Sequence, residues 1–274
     1  PVKTSRAEQA ASYLALTAMA LGVLVPLASL VLAAFHPPGT HVGGLDWPEP
    51  WSWSNLAIAW REGHFARLLG ASAVVSLIVA PLATGLATLA GYGLGAVRTP
   101  GRGLVGGLFL LGMTLPIEVV IVPLYRDLRD LHLTDSLITL ALVETAAFLP
   151  FGVYWMRQAF ASLPADLAEQ AVIDGAGPWQ RLRFVQWPLV RPSVTTLAVL
   201  YFMWSWNQFL LVVVIISDPN RRTAPAGLGF FVAPHSTDIP LLSAATLIAV
   251  APIVVVYAVF QRRFAAGLLS GASR

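Results

Sequence analysis

The stretch Glu169-Gln-Ala-Val-Ile-Asp174-Gly175-Ala-Gly-Pro-Trp-Gln-Arg181-Leu-Arg183-Phe-Val-Gln-Trp187-Pro188 decides how this chain is read. It is the centre of a polar, charged island of about 25 residues between two long apolar runs. Acids stand at one end, Gly-Ala-Gly-Pro in the middle and arginines after it. Pro164 opens a helix, because its missing N–H costs nothing at a first turn. Asp166 and Glu169 lie early in that helix and complement its dipole. Ala165, Ala168, Ala171 and Val172 are spaced by threes and fours and form one face of small residues. Gly175 and Gly177-Pro178 stop the helix. A second short helix is predicted over about residues 179–185, and Pro188 and Pro192 punctuate the return to the apolar run. A helix, a glycine break and a second helix make a compact knob, suited to being held from outside.

Composition says what lies on either side of the island. Hydrophobic residues make up 57% of the chain and charged residues 11%. A soluble domain carries about 25% charged residues, so this chain belongs in a membrane. Six runs reach the roughly 20 apolar residues that cross a bilayer, at about residues 11–35, 68–97, 103–125, 136–156, 192–217 and 239–261. All six are read as helices, because lipid requires internally satisfied backbone groups. The runs do not alternate, which excludes a β-barrel. The first run exceeds the apolar core of a signal peptide and reads as a retained anchor.

Charge sets the orientation. With the N-terminus inside, eleven of the 17 lysines and arginines fall on inner segments, Arg98, Arg102, Arg157, Arg181 and Arg183 among them. That bias predicts cytoplasmic termini and a cytoplasmic island over about residues 158–191. The outer loop, residues 36–67, holds Trp47, Trp51, Trp53 and Trp60. They read as an interfacial aromatic belt or as a docking surface for an outside partner.

Several chemistries are excluded. There are no cysteines, hence no disulfide or thiolate-ligated metal. His36, His41, His64, His132 and His235 show no metal-ligand spacing, and no metal site is expected. The net charge of +3 forms no basic stripe for nucleic acid. Lys3 is the only lysine, so the chain cannot build a P-loop and any ATP is hydrolysed on another subunit. No Ser-His-Asp pattern or cluster of acids on one cytoplasmic face marks an enzyme.

The island, as Glu169-x-Ala171-x-x-Asp174-Gly175-Ala176 followed by Pro188 and Pro192, resembles the EAA loop of importer-type ABC transporter permeases. The flanks resemble the carbohydrate-uptake, maltose-type branch: Leu115-Pro116 with Val122-Pro123-Leu124-Tyr125, then Leu149-Pro150-Phe151, then Phe202-x-Trp204-x-Trp206-Asn207-x-Phe209. The likeness runs from about residue 66 to the end. Gln170, Trp187 and Gln208 depart from it, standing where alanine, leucine and an acid are usual. The resemblance implies an all-α integral membrane protein, one permease domain over residues 1–274 with six spans and a coupling helix between the fourth and fifth. It implies no catalytic residue. Glu169, Ala171, Asp174, Gly175, Ala176 and Pro188 would form the ATPase-coupling set, with Glu169 and Asp174 anchoring and capping the helix and Gly175 allowing its tight exit. No cofactor would be bound by this chain, ATP and magnesium belonging to the ATPases. The implied partners are a second, homologous permease forming a heterodimer, two cytoplasmic ATPase subunits and an extracytoplasmic solute-binding protein. The implied place is the bacterial inner membrane.

Ionisable groups inside spans are costly and usually face an interior. Glu118 and Glu144 either line a cavity or meet a helix end or a neighbouring helix. Tyr125, Trp204, Asn207 and Gln208 supply the aromatic and amide chemistry of sugar recognition. Gly85, Ala87, Gly91, Gly93 and Gly95 suit close helix packing. No arginine falls within the six runs, which favours a neutral or cationic sugar-like solute over a glycerol-phosphate compound. A proton-driven carrier using Glu118 and Glu144 is the competing class; the missing inverted repeat counts against it.

Overall fold

The computed structural model describes residues 6–97, 100–232 and 237–272. Lys3, Arg98 and Arg274 of the charge pattern, and His235, lie outside the described residues. The described residues are helical and turn, without strands. In chain order the helices are α1 (Arg6–Ala34), α2 (Ser54–Glu62), α3 (Phe65–Gly95), α4 (Arg102–Thr114), α5 (Ile117–Asp130), α6 (Leu137–Ala161), α7 (Ala165–Ile173), α8 (Pro178–Gln180), α9 (Trp187–Trp206), α10 (Leu210–Ile215), α11 (Ala224–Gly227) and α12 (Ile239–Ala272). A π-helical turn, Arg181–Gln186, joins α8 to α9.

The chain forms two compact units, residues 1–66 with 227–251 and residues 67–226 with 252–274. In the first unit, α1 is exposed along most of its length and its last turn is anchored. Asn55 is fully buried and donates to the carbonyls of Ala34 and His36 at 2.8 and 2.7 Å. Those bonds satisfy acceptors that a helix end leaves orphaned. Phe35 packs with Trp51 and Trp53, ring centroids 5.3 and 4.7 Å apart, and Trp47 meets Trp51 edge-on.

The second unit is built on α3, α6 and α9. Gly91 and Gly95 of α3 press onto α6: a Cβ on Gly91 would lie 2.5 Å from Met156 Cβ, and one on Gly95 would lie 2.6 Å from the Arg157 carbonyl. Gly152 of α6 meets Ala87 and the Tyr201 hydroxyl in the same way. Residue numbers rise together along this seam, so α3 and α6 run parallel. Helix α9 runs antiparallel to α6. Ser205 Oγ donates to Glu144 Oε2 at 2.6 Å, Tyr201 Oη to the Phe148 carbonyl at 2.8 Å, and Trp155 Nε1 to the Ser193 carbonyl at 3.2 Å. Apolar Leu140, Val153, Leu197, Leu211 and Ile215 fill the space between.

Two of the six expected spans are not single helices. Helices α1, α3, α6 and α12 are each long and apolar enough to cross a membrane. The third run instead divides into α4 and α5, bent by 97° at Leu115-Pro116. Proline disfavours helical backbone at the residue before it, and Leu115 is extended, with ψ at 115°. The fifth run breaks after Trp206, where Asn207 ends α9 and α10 begins at Leu210. Gly85 and Gly93, grouped with the packing glycines by sequence, face open space.

Candidate functional site

The island forms a knob at the ends of α3 and α6. Pro164 stands one position before α7 and Ala165 opens the helix. The exit is a Schellman motif. Ala176 N–H donates to the Ala171 carbonyl at 2.8 Å and Gly175 N–H to the Val172 carbonyl at 3.0 Å. Gly175 carries the left-handed backbone that this motif needs, with φ at 79°. Asp174 occupies the position before it, and its backbone N–H donates to the Gln170 carbonyl at 3.0 Å. The stop at Gly175 is where the sequence put it.

The second half of the knob differs from expectation. Instead of a short helix broken by prolines, an unbroken helical path runs from Pro178 to Trp206. Pro188 lies in the first turn of α9, directly after the π-helical turn. Pro188 and Pro192 thus both lie inside the helical path where punctuation was expected, Pro192 in the interior of α9. The island therefore returns to the apolar run as helix, and residues 178–191 are not loop. Two further bonds fix the knob. Tyr92 Oη of α3 donates to the Pro178 carbonyl at 2.7 Å, and Gly177 N–H donates to Gln180 Oε1 at 2.9 Å.

The face of small residues is only partly turned inward. Ala171 is buried, Ala168 half-buried and Ala165 exposed. Val172, Ile173 and Trp179 stand out, with Ile173 84% exposed. Glu169, Asp174, Gly175 and Pro188 are exposed and Ala176 is half-buried. Behind α7 lies a hollow of about 760 Å³ that Glu169, Val172, Arg181 and Gln186 help to line. Arg181 Nε and Gln186 Oε1 are buried there without a hydrogen-bond partner among the described residues. Nothing in sequence periodicity signals this hollow, because its wall combines residues from α3, α6, α7 and the π-helical turn.

Among the described residues, the six solute-pathway candidates stand at three places: α5, the α6–α9 seam and the end of α9. Glu118 is exposed in the first turn of α5, two residues after Pro116, where it complements the helix dipole. Glu144 is fully buried between α6 and α9, bonded to Ser205 through one carboxyl oxygen, while the other has no partner among the described residues. Tyr125 is half-buried. Trp204, Asn207 and Gln208 cluster at the end of α9. The Trp204 ring lies 4.9 Å from Phe151, 5.6 Å from Phe148 and 5.9 Å from Tyr201. Asn207 Nδ2 donates to the Met203 carbonyl and Gln208 Oε1 accepts from Phe209 N–H. Both amides thus bond to backbone beside the helix break. Sequence alone missed Ser205 and Tyr201, which hold α9 to α6; an unremarkable serine or tyrosine in an apolar run carries no signal of its partner.

Comparison with known proteins gives one family. Residues 83–270 match the family of binding-protein-dependent transport system inner membrane components. The chain is 32% identical over 255 residues to the diacetylchitobiose uptake system permease NgcG of Streptomyces coelicolor, covering 92% of this chain and 84% of that protein. It is 30% identical to the trehalose transport system permease SugB of Mycobacterium tuberculosis, covering 97% and 98% respectively. Among solved structures, a bacterial ABC transporter involved in the import of the acidic polysaccharide alginate superposes with a TM-score of 0.80 at 20% identity. That superposition covers 96% of this chain and 100% of the solved chain, and establishes a shared fold.

Proposed function

We infer function from one premise: the chain belongs to the binding-protein-dependent transport system inner membrane components, the permease subunits of ABC importers. It is a multi-pass membrane transport subunit rather than an enzyme, and it works with an ATPase and a solute-binding protein.

Beyond that premise, we propose that residues 1–274 form one permease domain of six spans with both termini cytoplasmic. The parallel course of α3 and α6 supports this count. A segment between them that re-entered and left on one side would make them antiparallel, so the bent α4–α5 pair fits a single crossing. The arginine bias supports the orientation. The chain pairs with a second, homologous permease as a heterodimer, over two ATPase subunits that bind ATP and magnesium. None of these cofactors is held by this chain.

The observation that carries the coupling role is the knob itself. Helix α7 ends in a closed turn and presents Ile173 and Trp179 outward. Exposed apolar side chains on a rigid element mark a docking face. Glu169, Ala171, Asp174, Gly175, Ala176 and Pro188 shape that face, which seats on a cytoplasmic ATPase. Tyr92 links the knob to α3, so a push on α7 reaches the membrane helices.

The solute is a sugar, most simply a neutral oligosaccharide. Relatives named for diacetylchitobiose and trehalose transport support that class, as does the absence of arginine from the apolar runs. Trp204, Asn207 and Gln208, grouped on one helix end, are the first contacts to test; Tyr125, Glu118 and Glu144 come after them. Tagging the chain, extracting it in mild detergent and identifying what co-purifies tests the assembly. A P-loop ATPase and a second six-span protein are expected, with ATP hydrolysis stimulated by one sugar and its binding protein. A chain that purifies alone and transports in ATP-free vesicles overturns the reading.

A further inference from the structure

A second cavity, of about 340 Å³, opens between the ends of α3, α4 and α6. Arg102 and Arg157 line it together with Tyr154, and Leu94 and Leu110 supply its apolar wall. No aspartate or glutamate lines it. Among the described residues neither arginine makes an ion pair or hydrogen bond, whereas Arg129 pairs with Asp130 at 3.5 Å. Two like charges are thus held around one hollow without internal compensation. The hollow sits where α3 and α6 end and the knob begins, and the end of a spanning helix is where headgroups are met. Arginine and tyrosine near a helix end reach into that layer while their stems stay apolar.

The neighbouring face of α4 says what else the occupant carries. Leu104, Leu108 and Leu111 are 73, 59 and 63% exposed and follow one another at helical spacing. A ligand with an anionic head and a hydrocarbon tail satisfies both parts of this surface; a soluble anion satisfies only the first.

We propose that this pocket binds the headgroup of an anionic phospholipid, with Arg102 and Arg157 holding the phosphate and the exposed α4 leucines carrying an acyl chain. Basic pockets between helix ends hold anionic lipids in this way. A lipid there bridges α4 to α6. Those two helices meet closely, a Cβ on Gly112 lying 3.2 Å from Pro150.

Native mass spectrometry of the assembled transporter in mild detergent tests the site, titrated with phosphatidylglycerol, phosphatidylcholine or inorganic phosphate. The expected result is a preference for phosphatidylglycerol of about tenfold or more, from two arginines at the headgroup level. Inorganic phosphate is expected not to displace it. R102Q/R157Q removes this preference and R102K/R157K keeps most of it, while R61Q/R67Q, whose arginines lie outside the pocket, matches the wild type. Equal retention of the two lipids by the wild type overturns the proposal, as does an undiminished preference in R102Q/R157Q. Displacement by inorganic phosphate also overturns it, by assigning the pocket to a free anion. A double variant that fails to assemble leaves the decision with the wild-type comparison. The importer reading does not depend on any of these outcomes.

Discussion

The Tyr92 hydroxyl donates a 2.7 Å hydrogen bond to the Pro178 carbonyl, across 86 residues of sequence. Tyr92 belongs to α3 and Pro178 opens the helical path that becomes α9. The bond therefore ties the knob to a membrane helix at the point where α7 has just turned back. Pro178 has no N–H of its own, but its carbonyl remains a full acceptor.

Removing that bond tests whether it transmits force. Tyr92→Phe deletes one hydroxyl and costs about 1 kcal/mol of stability. The expected phenotype is a higher ratio of ATP hydrolysed to solute imported in proteoliposomes, with assembly intact. An unchanged ratio assigns the bond to packing alone.

Gly175 and Gly91 predict opposite kinds of damage. Gly175 needs a positive φ but has open space around its Cβ direction. Gly175→Ala therefore pays only the left-handed strain, about 1–2 kcal/mol, and Gly175→Asn less. Gly91→Ala drives a Cβ into Met156 of α6 and costs about 1–3 kcal/mol with backbone displacement. Detergent thermal stability should fall further for Gly91→Ala, while Gly175→Ala should chiefly weaken ATPase assembly.

Charge placed on the docking face should separate insertion from coupling. Ile173→Asp, Glu169→Lys and Gly175→Asp are expected to insert normally yet lose uptake and ATPase co-purification. The same variants with wild-type transport would sink the coupling role of α7.

Glu144 and Ser205 form a buried pair, and truncating one partner strands the other. Ser205→Ala should cost about 1–3 kcal/mol. Glu144→Gln keeps a side chain that can still bond Ser205 and should be milder than Glu144→Ala, which opens a void between α6 and α9. Solute affinity gives the functional readout. A change in sugar KM with Glu144→Gln, at unchanged stability, places the carboxyl on the pathway; a stability change alone makes it a fastener.

Trp204→Ala removes a ring packed on Phe148, Phe151 and Tyr201, and a loss of about 3–5 kcal/mol is expected from an aromatic truncation at a fully buried site. With 38% of the residue exposed, the loss should be smaller. Asn207→Ala touches one backbone bond and should leave stability nearly unchanged. A raised KM for solute in Asn207→Ala marks the end of α9 as a sugar contact.

The island was legible because its signals are local. Gly175 stops α7 through its own backbone freedom, and the pattern from Glu169 to Ala176 sits within one helix and its exit. The hollow behind α7 was not legible, since Arg181 and Gln186 come to share it with Glu169 only once α3 and α6 close its other sides.

The same division runs through the whole chain. Sequence alone determined that this is a helical membrane protein, because hydropathy sums along consecutive residues and needs no partner. It also determined the knob and, through its motifs, the importer family. Tertiary structure decided which apolar runs stay whole. Pro116 and Asn207 end helices at points where hydropathy continues unbroken, and the separated pieces then pack on other helices. It also decided that Glu144 is buried against Ser205, 61 residues away. A buried carboxyl takes whichever donor the packing brings to it, and that choice is made between helices rather than along one.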